Sequence, residues 1–150
     1  MKGKKILDVK VDCTGKNVSL VSEGREVLMI PFTGTVTGPL FEGMVEPCGV
    51  DTQTVSADGV RHMSARYMLT GKDCKGESAH IYVENNGCFR DGEVPMPFQT
   101  VPVFRTDSKA LAPYLHADRF AGEGSSEEDG LHICFYDVLD GEEGPDGAQP

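Results

Sequence analysis

The sequence predicts an all-β protein, an antiparallel up-and-down β-barrel with one short α-helix before the last strand. Three observations carry that reading. Short runs of alternating or β-branched residues follow one another along the chain, which is the period of strands and not of helices. Most of the 18 glycines fall between those runs, several behind Asp or Asn, where a turn needs positive φ. Finally, 150 residues is the size of one domain with one hydrophobic core.

Taken in order, the strand-like runs are Lys5 to Cys13, Asn17 to Ser22, Val27 to Thr37, Leu40 to Val45, Val50 to Ser56, Arg61 to Thr70, Ala79 to Asn85, Thr100 to Thr106 and Leu131 to Val138. Turn chemistry is offered by Asp58-Gly59, Asn86-Gly87, Asp91-Gly92 and Asp129-Gly130. Between Ser108 and His116 the period changes: Leu111, Tyr114 and Leu115 recur at helical spacing behind Asp107 or Ser108 as a candidate N-cap. Pro113 limits that helix to one or two turns. Glu123 to Asp129 reads as a mobile acidic loop before the final strand.

Nine strands and one short helix in a single domain leave a sandwich or a closed barrel. The runs are long for a sandwich and succeed one another through tight turns, which favours the barrel. No repeat of 20 to 50 residues is visible, so a solenoid or propeller is not supported. Residues 1–139 are expected to form the barrel domain and 140–150 an acidic, disordered tail, since that stretch holds Gly141, Gly144, Pro145, Gly147 and Pro150 and no large apolar residue.

The formal net charge is -10, and residues 123 to 150 hold 9 acidic side chains and no basic one. Such a balance repels phosphate backbones, which argues against nucleic acid as a partner. No apolar run approaches the roughly 20 residues of a membrane span and no signal-peptide core follows Met1 to Lys5, so a cytoplasmic protein without a membrane partner is expected. The five cysteines have no C-x-x-C spacing, and no disulfide framework is expected; Cys48, in the loop-like Glu46-Pro47-Cys48-Gly49, stands nearest the polar positions described next. His62, His80, His116 and His132 are scattered, which gives no metal-ligand pattern. Nucleophile elbows, dinucleotide fingerprints and phosphate loops are absent, so no cofactor is expected.

Alternation assigns the faces. In the run from Arg61, Met63, Ala65, Tyr67 and Leu69 share one face and His62, Ser64, Arg66 and Met68 the other. Asn85 falls in line with Ala79, Ile81 and Val83, and Asp51 and Gln53 fall in line with Val55. An inward polar group without a partner costs on the order of 1–3 kcal/mol, and an ionised carboxylate costs more. Two readings satisfy these groups: an internal hydrogen-bond network at a barrel end, or a cavity in which Asp51, Gln53, Tyr67 and Asn85 orient a small ligand.

The set Ile30-Pro31-Phe32-Thr33-Gly34, Gly38-Pro39, Gly43, Val45, Pro47, Gly49, Asp51, Asp58-Gly59, Ala65-Arg66-Tyr67, Ile81-Tyr82-Val83, Asn85, Gly87, Phe104 and Thr106 resembles the bacterial and fungal family called domain of unknown function 3237. Cys48 replaces the first glycine of the usual pair before the aspartate, and Thr52 replaces a common aromatic after it. The resemblance implies a closed or nearly closed barrel similar to the calycin group of lipocalins and fatty-acid-binding proteins, and motif positions at Asp51, Arg66, Tyr67 and Asn85. It implies no particular reaction.

Three functions follow. The first is a binding barrel for a small, partly apolar molecule, walled by Phe32, Val55, Met63, Leu69, Val83 and Phe104 and oriented by Asp51, Tyr67 and Asn85, with Gln53 and Arg66 as further ligand contacts. The second is a cofactor-independent isomerase, cyclase or hydrolase with Asp51 as general base and Tyr67 or Arg66 stabilising oxyanion charge. The third is a packed structural module that forms a homo-oligomer through an exposed strand edge or its apolar surface.

Overall fold

The computed structural model describes residues 3–13 and 15–139. The expected acidic tail, residues 140–150, lies outside the described residues. The strands are β1 (Lys4–Asp12), β2 (Val18–Ser22), β3 (Arg25–Thr37), β4 (Phe41–Val55), β5 (Arg61–Asp73), β6 (Ser78–Phe89) and β7 (Phe98–Thr106), followed by helix α1 (Ala112–Leu115), β8 (Phe120–Glu127) and β9 (Gly130–Asp137).

They form one antiparallel sheet in the order β1-β9-β8-β7-β6-β5-β4-β3-β2, closed by a further pairing of β1 with β3. Strand β3 makes the closure possible by dividing one edge between two partners. Its first half, Arg25 to Met29, pairs with β2, and its second half, Thr33 to Thr37, pairs with β1. Eight strands thus close the barrel, and β2 lies outside the closure, exposed along its length. At the seam the backbones crowd: a Cβ on Gly34 would lie 1.9 Å from the Lys10 carbonyl oxygen, so only glycine fits.

The barrel and the short helix agree with the sequence-based expectation, and three elements differ. The two runs Leu40 to Val45 and Val50 to Ser56 are one strand, β4, in which the pairing with β5 shifts between Val45 and Val50. This irregularity around Pro47 bends a long strand instead of ending it. Asn86-Gly87 is not a turn but the interior of β6; a Cβ on Gly87 would stand 2.9 Å from the Phe89 ring. The stretch expected as the acidic loop Glu123 to Asp129 is mostly strand β8, so the helix precedes the last two strands. Strand β8 hides from pattern reading because glycines stand where apolar residues would. A Cβ on Gly124 would strike the Phe98 ring at 2.1 Å, and one on Gly122 would strike Thr100 Oγ1 at 2.3 Å.

The helix has the one turn that Pro113 allows and begins after Leu111, and Ser108 acts as a cap one turn earlier, accepting from the Leu111 amide at 3.2 Å. The Ser108 hydroxyl also donates to Asp73 at the end of β5, 2.7 Å away. Leu111 and Leu115 are thereby carried into the core at the end of the barrel where β5 finishes. Phe104 fills that end, its ring 5.3 Å from Phe120 and 5.2 Å from Phe135 in edge-to-face contact. Asp137, fully buried, accepts from Arg119 Nε at 2.9 Å and from the Tyr114 hydroxyl, fastening the helix to β9.

Candidate functional site

The opposite end of the barrel is not filled. A cavity of about 200 Å³ lies between the sheet walls, lined by Ile30 and Phe32 of β3, Asp51 and Gln53 of β4, Met63, Ala65 and Tyr67 of β5, Asn85 of β6 and Ile133 of β9. Val94 and Met96, from the segment between β6 and β7, cover part of it. Eight strands leave an interior just wide enough for side chains or one small ligand, so the emptiness depends on what the inward positions carry.

Strand pairing fixes the site's geometry. Asp51 lies opposite Ala65, and Ala65 opposite Asn85, so the two polar residues stand at the same level on either side of a methyl group. Two strand spacings separate them, about 10 Å between backbones. Tyr67 follows Ala65 on the same face and meets the Phe32 ring edge-on at 5.1 Å.

The polar atoms are unequally satisfied. Gln53 Nε2 donates to Asp51 Oδ2 at 2.8 Å, and Arg61 donates through one NH group to Gln53 Oε1 at 3.0 Å. Arg61 also donates to Glu26 at 3.1 Å and, through Nε, to the Gly92 carbonyl at 2.7 Å. By contrast, Asp51 Oδ1, Tyr67 Oη and Asn85 Oδ1 are buried with no hydrogen-bond partner among the described residues. Burial pushes the Asp51 carboxyl above the usual carboxylate range, opposed by the Gln53 hydrogen bond and the Arg61 charge. Burial alone raises the Tyr67 phenol, which therefore stays protonated and can donate. The Cys13 thiol, also at the cavity wall, is raised by burial and then by the charges of Asp51 and Asp12.

Of the residues expected at a site, Asp51, Gln53, Tyr67, Asn85, Phe32 and Met63 are brought together around this cavity. Phe104 is buried but belongs to the filled end, as do Leu69 and Val83. Arg66 is not brought in. It stands on the outer face with its side chain 61% exposed, 3.6 Å from Glu84 and within 3.3 Å of Ser64 Oγ. A contact between Arg66 and a ligand inside the barrel is therefore ruled out by strand geometry. Cys48 is exposed and does not line the cavity; Cys13 does.

Sequence reading passed over Arg61, although it has the same parity as Met63 and Tyr67 and so points inward by the rule already applied to them. It also passed over Val94, Met96 and Phe98, which sit in or beside an irregular segment where alternation says nothing.

Fold and site together define a small β-barrel with one packed end and one largely apolar hollow that holds a few polar groups. The chain belongs to the DUF3237 family of proteins of unknown function, whose model matches residues 2–138. A UPF0311 protein from Clostridium acetobutylicum is 37% identical in an alignment covering 57% of this chain and 60% of that protein. The chain thus spans about three fifths of that curated relative's length. A crystal structure of a protein of unknown function from Clostridium acetobutylicum ATCC 824 is similar with a TM-score of 0.66 and 29% identity, over 90% of this chain and 97% of that one. At the level of fold alone, the chain is similar to a crystal structure described as an enzyme from Penicillium herquei. That match has a TM-score of 0.60 and 19% identity, covering 88% of this chain and 91% of the other.

Proposed function

We propose that the protein binds a small, partly apolar organic molecule inside the open end of its barrel. One observation supports this above the rest: three buried polar atoms, on Asp51, Tyr67 and Asn85, lack partners among the described residues and line the same largely apolar cavity. Each unsatisfied group costs on the order of 1–3 kcal/mol, a cost that a guest with matching donors and acceptors removes. The guest presents a donor to Asp51, an acceptor to the Tyr67 hydroxyl and an apolar body to Phe32, Met63 and Ile133. Five free cysteines fit a reducing, cytoplasmic setting.

A second reading, catalysis without a cofactor, has its own support. Asp51 keeps one oxygen free in a desolvated site that raises its proton affinity, as a general base requires. Tyr67 is placed to donate to developing oxyanion charge, and Arg66, on the outside, is not. The likeness to an enzyme at 19% identity extends to the fold and not to a reaction.

Mass spectrometry of small molecules released from natively purified protein tests the binding reading. Wild type is expected to release a molecule that Ala65→Leu, with the floor between Asp51 and Asn85 filled, does not carry. Equal recovery from both proteins, or none from wild type, counts against binding in the barrel. Turnover of such a molecule by wild type but not by Asp51→Asn, with binding retained, assigns catalysis.

A further inference from the structure

Arg61 stands at the rim of the cavity where three separate parts of the chain meet. It begins β5, and its side chain is only 17% exposed. One NH group reaches Gln53, which holds Asp51; another reaches Glu26 at the start of β3; and Nε reaches the carbonyl of Gly92. Gly92 belongs to the segment between β6 and β7 that carries Val94 and Met96 across the cavity. That segment is also held by the packing of Val94 against the core. Gly92 donates back to Phe89 at 3.3 Å, a long bond, and Met96 is 53% exposed.

We propose that Arg61 is a positioning residue that fastens the strap of residues 90–97 over the cavity and, through Gln53, sets the orientation of Asp51. The proposal rests on the cavity being the working site. A guanidinium suits the task because its planar fork donates in several fixed directions at once, whereas an ammonium reaches one such arrangement poorly. The two consequences are linked. Release of the Gly92 carbonyl loosens the strap, and release of Gln53 lets its amide leave Asp51 Oδ2, so access to the cavity and readiness of the carboxylate change together.

The test uses the intact protein without added ligand, comparing wild type with Arg61→Lys and Arg61→Ala. Amide hydrogen exchange within residues 90–96 is expected to accelerate about tenfold or more in both variants, as loss of a charge-assisted hydrogen bond implies, while β1 and β9 keep their protection. The Asp51 titration, followed by carboxyl carbon NMR, is expected to move further upward in Arg61→Ala and to move less in Arg61→Lys, which keeps the charge. Unchanged exchange in the strap, or an Asp51 midpoint that stays in place in Arg61→Ala, overturns the proposal. If Arg61→Ala does not fold, the strap exchange of Arg61→Lys and its Asp51 midpoint decide alone. None of these readouts needs a guest, so an empty cavity in the copurification experiment defeats the binding reading without touching this result.

Discussion

Replacing Tyr67 with Phe should make the ligand-free protein more stable, against the usual direction for a core substitution. Tyr67 is 4% exposed, its ring packs on Phe32 at 5.1 Å, and its hydroxyl has no partner among the described residues. The substitution keeps the ring contact and deletes the oxygen. An unsatisfied buried hydroxyl carries a desolvation cost of about 1–3 kcal/mol. Part of that returns when phenylalanine leaves a small gap, so a net gain of about 1 kcal/mol is expected, or roughly 2–4 °C in Tm for a domain of this size. Urea and thermal unfolding of protein stripped of small molecules measure it directly. The same variant should bind the native guest about threefold to tenfold more weakly, the worth of one lost neutral hydrogen bond. A loss of 1 kcal/mol or more in the ligand-free variant would show that the hydroxyl is satisfied in the folded protein and awaits no guest.

Further expectations follow from the same geometry. Asp51 has a raised proton affinity in the fold, so the folded state holds its proton more tightly than the unfolded chain does. Its contribution to stability is therefore full below the unfolded carboxylate range, near pH 3.9, and is lost as pH rises through the folded value. Asp51→Asn removes that slope, so the variant should gain on wild type as pH rises across this window and hold a constant difference above it. Matched urea titrations at several pH values read this out, and a variant that loses ground to wild type as pH rises contradicts it. Asp137→Ala should cost about 3 kcal/mol, because it strips a fully buried carboxylate from Arg119 and Tyr114. A loss under about 1 kcal/mol by urea unfolding would mean that the helix is not held there. Arg66→Ala should leave guest affinity within about twofold of wild type, since surface changes of this kind fall within about 0.5 kcal/mol; a large loss by calorimetry would place binding on the outer face.

How much of this was legible beforehand depended on what each residue's neighbours do. Alternation read the faces well: Met63, Ala65 and Tyr67 point inward, Arg66 outward, and Asp51, Gln53 and Asn85 join the interior row. Alternation gives the face and not the height along the barrel. For that reason Leu69, Val83 and Phe104 were grouped with the cavity although they fill the helix-capped end. Strand β8 was missed because its inward volume is supplied by the rings of Phe98 and Phe135 from neighbouring strands, leaving glycine at Gly122 and Gly124 with no apolar signature. The pieces of β4 looked separate because the irregularity around Pro47 breaks the period without breaking the strand. Arg61 was recoverable, since parity alone places it with Met63; its three partners, far apart in sequence, were not. Strap residues Val94 and Met96 lie where no local rule applies, and only the closed barrel brings them over the hollow.

Binding in the barrel requires that the polar atoms of Asp51, Tyr67 and Asn85 meet a guest. A high-resolution crystal structure of protein purified without stripping is the direct measurement. Density for a small organic molecule within hydrogen-bond distance of Asp51 Oδ1, Tyr67 Oη and Asn85 Oδ1 is the predicted result. A collapsed hollow, or those atoms bonded to one another and to the main chain, would contradict it.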